Sequence, residues 1–229
     1  LNHFKNSKEP EGNPQFRDVY AGMKMGPGSL KLGRSSSAYK TAGGVKYDPF
    51  VATGLQARGN GGQSTGQNGY IEAIGYSAKM AGVKVNVNYG LDDPDDATSD
   101  TALSASVAYG IAGGEVFFAM SDNFGYTGNK VGGKYAMGDT SLRVQIELPD
   151  SDSHDTQMVF VGAEHKIAGM TVGGWFGMST TGDADAVTSM AFGAKKSMGK
   201  KTSAYAGFKS EGAAGDGDAT TALVVGMRT

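Results

Sequence analysis

Polar and apolar residues alternate with a period of two along most of this chain. That period is typical of β-strands that have one apolar face and one polar face. In the segment 83–89, for example, Val83, Val85, Val87 and Tyr89 alternate with polar residues. The pattern predicts thirteen strands, at residues 16–25, 29–34, 70–78, 83–89, 101–110, 115–121, 130–137, 140–148, 157–167, 170–179, 187–198, 201–210 and 219–229.

The connections between these strands are of two alternating kinds. Turns of two to four residues follow the odd-numbered strands, and longer, mostly acidic loops follow the even-numbered ones. A soluble β-sandwich has no reason to sort its connections in this way, whereas an outer-membrane barrel has short turns on one side and longer loops on the other. Because the bilayer offers the backbone no hydrogen bonds, only a closed barrel pairs every strand. We therefore expect an all-β fold, an antiparallel transmembrane β-barrel.

The polar face of the predicted strands carries side chains that a small soluble barrel could not bury. Such side chains suit a wide, water-filled lumen. Alternation places two lysines, Lys31 and Lys84, on this face. It also predicts a set of lumen-facing residues on two further stretches of strand, namely Asn86, Asn88, Arg143, Gln145 and Glu147.

One long connection, residues 35–68, differs from all the others. It is rich in Gly, Ser, Thr and Gln, it has no sustained periodicity, and no helix is predicted in it. A structureless loop of this length is uncommon in a compact domain and is usually functional or disordered. We expect residues 1–229 to form a single barrel domain in which this loop folds inward and narrows the pore.

The composition argues against several other classes of protein. Mean hydropathy is −0.31, and the longest apolar runs, such as 158–163, are far shorter than the roughly 20 residues of a membrane-spanning helix. Alternating barrel strands keep mean hydropathy low. The net charge of −2 argues against a nucleic-acid partner. With no cysteine and only isolated histidines, the sequence predicts no metal site, no cofactor and no catalytic residues.

Several phrases of the sequence resemble a known family. They are FRDVYAGMKMGPGSLKLGR (16–34), the long loop with YDPF (47–50), VGAEHKI (161–167), FGAKKSMGKKTSAYAGF (192–208) and the closing ALVVGMRT (222–229). Together these resemble the general diffusion porins of Gram-negative bacterial outer membranes. The resemblance implies a barrel of sixteen strands, so that the N-terminal strands and the last residues would be lacking here. It also implies a homotrimer in the outer membrane, in contact with lipid and lipopolysaccharide.

The resemblance further implies a pore constriction. In that family, acidic groups on the inward loop face an arginine cluster on the wall, and the field between them sorts ions. The matching positions, with the two lumen-facing lysines, are Arg17, Lys31, Arg34, Asp48, Arg58 and Lys84. Of these, Arg34 shares the parity of Leu32, which points it outward unless a bulge intervenes.

The charge of the loop departs from the acidic pattern of the family. Asp48 is its only acid, against Lys40, Lys46 and Arg58. This balance leans toward a weak preference for anions.

The first hypothesis for function is a non-catalytic, water-filled channel for passive diffusion of small hydrophilic solutes and ions. One alternative is a substrate-selective outer-membrane channel, which a lumenal track of aromatic residues would favour; Phe117, Trp175 and Tyr205 are candidates. The other is a non-channel all-β surface or adhesin protein. An enzyme is not expected, because the sequence shows no credible pairing of a nucleophile with a base.

Overall fold

The computed structural model describes residues 18–58, 63, 70–90, 102–123, 126–151, 154–213 and 217–229. The strands are β1 (Val19–Met25), β2 (Gly28–Ser36), β3 (Tyr70–Met80), β4 (Val83–Gly90), β5 (Leu103–Ile111), β6 (Gly114–Asn123), β7 (Tyr126–Met137), β8 (Thr140–Ser151), β9 (His154–Ile167), β10 (Met170–Thr181), β11 (Val187–Ser197), β12 (Ser203–Glu211) and β13 (Thr220–Arg228). They form one sheet in chain order, with β1 and β13 at its edges. Every neighbouring pair runs antiparallel, as between β1 and β2. The predicted thirteen antiparallel strands are confirmed.

The outer face of the sheet is apolar, and the polar side chains of the strands lie mainly on the inner face, beside a group of buried aromatic ones. Val85, Phe118 and Leu148 are between 37% and 50% exposed on the outer face. On the inner face Gln145 pairs with Phe160 across β8 and β9, and both side chains are fully buried. An apolar outside and a polar inside are what a transmembrane barrel requires.

Two of the predicted long loops are largely strand, so those predictions were wrong. β6 ends at Asn123 and β7 begins at Tyr126. Likewise, β8 ends at Ser151 and β9 begins at His154. The predicted loops at 122–129 and 149–155 were placed on polar composition. A β ladder needs only backbone pairing, however, and Thr127 pairs with Asp150 across β7 and β8.

Residues 37–58, called the inward segment below, leave the end of β2 and lie in the concave side of the sheet. Side chains of β4, β5, β8, β10, β11, β12 and β13 all donate hydrogen bonds to this segment or accept them from it. A segment this short reaches so many strands only because the sheet curves around it. The prediction of an inward-folded loop is therefore confirmed.

The sequence predicts an irregular loop here, but the inward segment is partly helical. It contains the helix α1 (Ala38–Thr41) and a 3-10 helix (Gly44–Lys46). A single helical turn is too short for a periodic pattern to reveal it. Neither helix in the described part of the chain has the length and apolar character needed to cross a membrane.

An apolar core lies between the inward segment and the inner wall of the sheet. It comprises Tyr39, Ala42, Tyr47, Phe50, Leu55 and Ala57 from the segment, and Phe117, Ala119, Phe160, Trp175 and Ala191 from β6, β9, β10 and β11. Two adjacent aromatic residues of β10 face opposite ways: Trp175 is buried inside and Phe176 is exposed outside. The core thus fixes the inward segment to one side of the wall.

Two of the hairpin turns place an alanine in the left-handed region of backbone conformation. Ala168 and Gly169, between β9 and β10, have φ values of +50° and +74°, and Ala81 and Gly82 join β3 to β4 with φ values of +47° and +82°. Two positive φ values are typical of the type I′ turn, whose twist matches that of the flanking strands. An alanine in this conformation is strained, because its Cβ approaches the following carbonyl oxygen.

Replacing Ala168 with glycine should therefore stabilise the protein. We expect Ala168→Gly to raise the free energy of unfolding by about 0.5 to 1 kcal/mol. The relief of strain in the folded state exceeds the opposing effect of glycine, which gives the unfolded chain more conformational freedom. Denaturant unfolding of the detergent-solubilised protein measures it. Ala163→Gly on β9 is the matched control and should lower stability, because a strand glycine adds only unfolded-state freedom. Equal effects of the two substitutions would contradict the strain argument.

Candidate pore constriction

The helical start of the inward segment is held by polar side chains of β4 and β5. Ser37 caps α1, its hydroxyl accepting a hydrogen bond from Lys40 N at 3.1 Å. The next two backbone N–H groups donate to the wall: Ala38 N to Asn88 Oδ1 at 2.7 Å and Tyr39 N to Ser104 Oγ at 2.9 Å. The first N–H groups of a helix have no partner within it, so the wall supplies the partners that α1 lacks.

A buried polar cluster on β7 and β8 holds the next part of the segment. Glu147 accepts a hydrogen bond from Tyr39 OH at 3.2 Å and another from Gln145 Nε2. Gln145 Oε1 accepts from Gly44 N at 2.6 Å. The ammonium of Lys130 lies 4.2 Å from the centre of the Tyr39 ring. Because buried polar groups are costly when unsatisfied, this cluster fixes the segment to one position on the wall.

A carboxylate shared by two cations fixes the middle of the segment. Glu164 pairs with Arg143 through one oxygen and with Lys195 through the other, at 3.0 Å for the lysine. Each cation also donates to a carbonyl of the segment: Arg143 to Tyr47 O at 3.3 Å and Lys195 to Pro49 O at 2.7 Å. The cations on β8 and β11 therefore bond to the backbone of the segment as well as to the Glu164 carboxylate on β9.

The end of the segment is held by β10, β12 and β13. Trp175 Nε1 donates to Leu55 O at 2.7 Å, and Gly54 N donates to the hydroxyl of Tyr205 at 3.2 Å. Arg228 donates to Val51 O at 3.1 Å. The aromatic candidates for a substrate track thus contact the segment, and Phe117 likewise packs edge-on against Tyr47, with ring centres 5.4 Å apart.

Asp48 bonds to the backbone of its own segment. Its two carboxylate oxygens accept from Phe50 N at 2.8 Å and from Ala57 N at 2.9 Å, and the side chain is 5% exposed. Burial raises the pKa of Asp48, although the two backbone hydrogen bonds oppose the rise. This carboxylate closes residues 48–57 into a compact turn and is not presented to open space.

The cations of the opposite side remain near the open part of the interior. Lys84 is exposed on the inner face of β4, and Lys31 is half-buried on β2, with its ammonium 4.2 Å from the centre of the Tyr20 ring. Burial lowers the pKa of Lys46 on the segment, and the positive charge of Lys84 lowers it further. The neighbouring Tyr47 has its phenol pKa raised by burial and by the Glu115 carboxylate.

The structure places the remaining predicted residues as follows. Arg17 lies outside the described residues. Arg34 is half-buried, and an unbroken register opposite Val19 keeps it on the outward face of β2, without the bulge that a lumenal position would need. Arg58 forms an isolated bridge to Gln63 at the end of the segment. Asn86 lies on the inner face and donates to Ser106 at 3.1 Å.

Sequence reasoning missed the residues that hold the segment in place. Ser104, Lys130, Glu164 and Lys195 were not among the predicted site residues. Their only signal in the sequence was their parity with the polar face, which they share with Asn86 and Asn88. Bonds between positions more than sixty residues apart, such as Tyr39 to Ser104, leave no local pattern.

A glycine lies where the segment comes close to the wall. Gly43 has a φ of +56°, and an added Cβ would overlap Gln145 Oε1 and the ring of Phe117. We expect Gly43→Ala to loosen the segment and to raise the rate of tryptic cleavage at Lys46 about tenfold, through a smaller free energy of local opening. Gly199→Ala, where a Cβ meets nothing within 4 Å, is the control. An unchanged cleavage rate in Gly43→Ala would contradict the close packing of Gly43 against the wall.

The sequence of this chain matches a known protein family. Residues 2–223 match the family model of the Gram-negative porins. No curated protein sequence matches the chain significantly.

Solved structures of low sequence identity share the fold. An anion-selective porin from Comamonas acidovorans is 19% identical, with a TM-score of 0.76, over 91% of this chain and 76% of that one. OmpT of Vibrio cholerae is 15% identical, with a TM-score of 0.72, over 93% and 80%. OmpF of Salmonella typhi, solved with daunomycin, is 15% identical, with a TM-score of 0.71, over 93% and 77%.

The family match decides among the functions that the sequence left open. Family and fold indicate a channel, and they favour neither an enzyme nor an adhesin. The substrate-selective alternative gains no support over general diffusion. This chain belongs to the Gram-negative porin family, as a β-barrel of the outer membrane that forms a water-filled channel for passive diffusion of small hydrophilic solutes.

Proposed function

We propose that the narrowest point of this channel lies between the inward segment and the inner wall formed by β1 to β4. Two observations support the proposal. The segment is bonded to the wall from β4 round to β13, so its free side faces the first strands. Burial lowers the pKa of Lys46 on the segment, and Lys84, on that wall, is close enough to lower it further. Lys31 lies on the same inner face of β2, which continues this wall.

We propose that the constriction prefers anions weakly. Lys31, Lys46 and Lys84 line it, whereas Asp48, the one acid of the inward segment, is buried against its own backbone. Among the described residues near these lysines, Glu115 supplies negative charge, and Lys134 pairs with it at 3.5 Å. The positive groups therefore outnumber the negative ones. The porin from Comamonas acidovorans, which shares the fold, is itself described as anion-selective.

We also propose a homotrimer set in outer-membrane lipid and lipopolysaccharide, with residues 1–229 in one barrel domain. OmpT of Vibrio cholerae, solved in a trimer form, shares the fold at a TM-score of 0.64 and 16% identity.

We propose that the channel has no catalytic activity, since the buried polar groups Gln145 and Glu147 bond to the inward segment. The inward segment covers Phe117 and Trp175, so these aromatic residues are not exposed to the pore as a substrate-selective track would need.

Conductance in a planar bilayer under a salt gradient tests this proposal. We expect large ohmic steps grouped in threes and a reversal potential whose sign indicates chloride preference. Reversing the charge at Lys84 should shift the chloride-to-potassium permeability ratio about threefold toward potassium, because a unit charge several ångströms from the ion path is worth about 0.5 kcal/mol in water before screening.

The control for this experiment is Lys196→Glu, which changes the same charge on the outer face of β11. It should leave the permeability ratio unchanged. Equal ratios in Lys84→Glu and the wild type would exclude Lys84 from the constriction. Well-folded protein without conductance would overturn the channel itself.

A further inference from the structure

A second polar region lies in the interior, on the side of the inward segment that faces the hairpin turns. It is a cavity of about 580 Å³ between the inner faces of β9 to β13. The groups that could bind a ligand there are three cations and three hydroxyls, namely Lys166, Lys195, Arg228, Thr171, Ser197 and Ser203. We call this cavity the turn-side pocket. It is separate from the constriction lysines, which lie on β2, β4 and the inward segment.

Two of these cations are held in place by the inward segment. Lys195 donates to Pro49 O at 2.7 Å and Arg228 to Val51 O at 3.1 Å. A lysine has three N–H donors and an arginine five, so each bond to the segment leaves further donors for a ligand. Because the side chains are already ordered, binding costs less conformational entropy than it would with mobile lysines.

The pocket keeps a positive charge despite the acids nearby. Glu164 is shared between Arg143 and Lys195, so one negative charge faces two positive ones. Asp139 is the acidic residue among the described residues that line the pocket. Lys166 and Arg228, which also line the pocket, supply two further positive charges. The balance of charge therefore favours an anionic ligand.

The cationic surface extends toward the hairpin turns. A neighbouring cavity of about 430 Å³ shares Ser197, Ser203 and Arg228 with the pocket and adds Lys200 and Lys201, which follow β11. A cleft lined by one sign of charge raises the local concentration of the opposite ion. Because the two cavities share three lining residues, the cationic surface continues from the pocket to the turn side of the barrel.

We propose that the turn-side pocket binds the phosphate group of a small organic phosphate passing through the channel. Arginine and lysine make strong charge-assisted hydrogen bonds to phosphate, and the arginine fork matches its geometry. The hydroxyls of Thr171 and Ser203 add neutral donors, whereas that of Ser197 already donates to Gly199 O at 2.9 Å. A cavity of this volume is in the range that accepts small organic ligands. The proposal rests on the proposed channel and names a class of solute for it.

Calorimetric titration of the detergent-solubilised full chain with glucose 6-phosphate, at low ionic strength, tests the pocket without requiring conduction. We expect glucose 6-phosphate to bind, inorganic phosphate to compete with it, and glucose not to bind. Lys166→Gln should raise the Kd about fivefold, as expected for one partly exposed charge contact. The matched control is Lys196→Gln, because Lys196 neighbours Lys195 but lies on the outer face; its Kd should equal that of the wild type.

Three outcomes would overturn the pocket: no binding to the wild type, the same Kd in Lys166→Gln as in Lys196→Gln, or a loss of binding in Lys84→Gln as large as in Lys166→Gln. The last would assign the phosphate to the constriction. Bilayer conductance, measured separately, reports on the channel. Conduction without binding overturns the pocket alone, whereas binding without conduction overturns the channel and leaves the pocket supported.

Discussion

The inward segment can lie inside this barrel only because the wall bonds its backbone. A loop drawn into the interior loses much of its contact with water, and each buried N–H or C=O group must find another partner. Asn88 and Ser104 supply acceptors for the start of α1, Gln145 supplies one for Gly44, and Trp175 supplies a donor for Leu55. The polar inner face, which a pore needs for water, thus also holds the element that narrows it.

Packing divides the interior into two halves. The wall of β6, β9, β10 and β11 buries aromatic and aliphatic side chains against the segment, and glycines let the segment come close. Leu55 lies over the paired Gly193 and Gly207, where an added Cβ would lie within 3.0 Å of its side chain. None of the described residues of β1 to β4 belongs to this core, and Lys31 and Lys84 lie on the inner faces of β2 and β4. In the proposed channel, ions and solutes pass on that side of the segment.

The sequence predicted the strands well because their signal is local. Alternation at residues 83–89 depends on neighbours two positions apart, and the structure forms a strand there, Val83–Gly90. The helix α1 escaped prediction because one turn has no period, and Trp175 and Phe176 could not be assigned to faces until pairing with Gly162 and Ala191 fixed the register.

The roles of single residues were harder to predict than the faces. Arg143, Gln145 and Glu147 lie on the inner face, as parity predicts, but all three bond to the inward segment or to the groups that hold it. Asp48, predicted at the constriction, bonds to its own backbone. The roles of the first three depend on contacts across about a hundred residues of chain, and that of Asp48 on a turn within the segment. Parity along a strand encodes neither.

Disulfide trapping tests the position of the inward segment most directly. The chain contains no cysteine, so a pair can be introduced without competing thiols. A Cβ at Gly54 would lie 3.9 Å from the Cβ of Val224 on β13, within the range of a disulfide. In the outer membrane, a variant carrying both Gly54→Cys and Val224→Cys should form the bond nearly completely under mild oxidation and keep the single-channel conductance of the wild type. Thiols that stay reduced, or a conductance that changes when the bond forms, would contradict a segment held against this wall in the open channel.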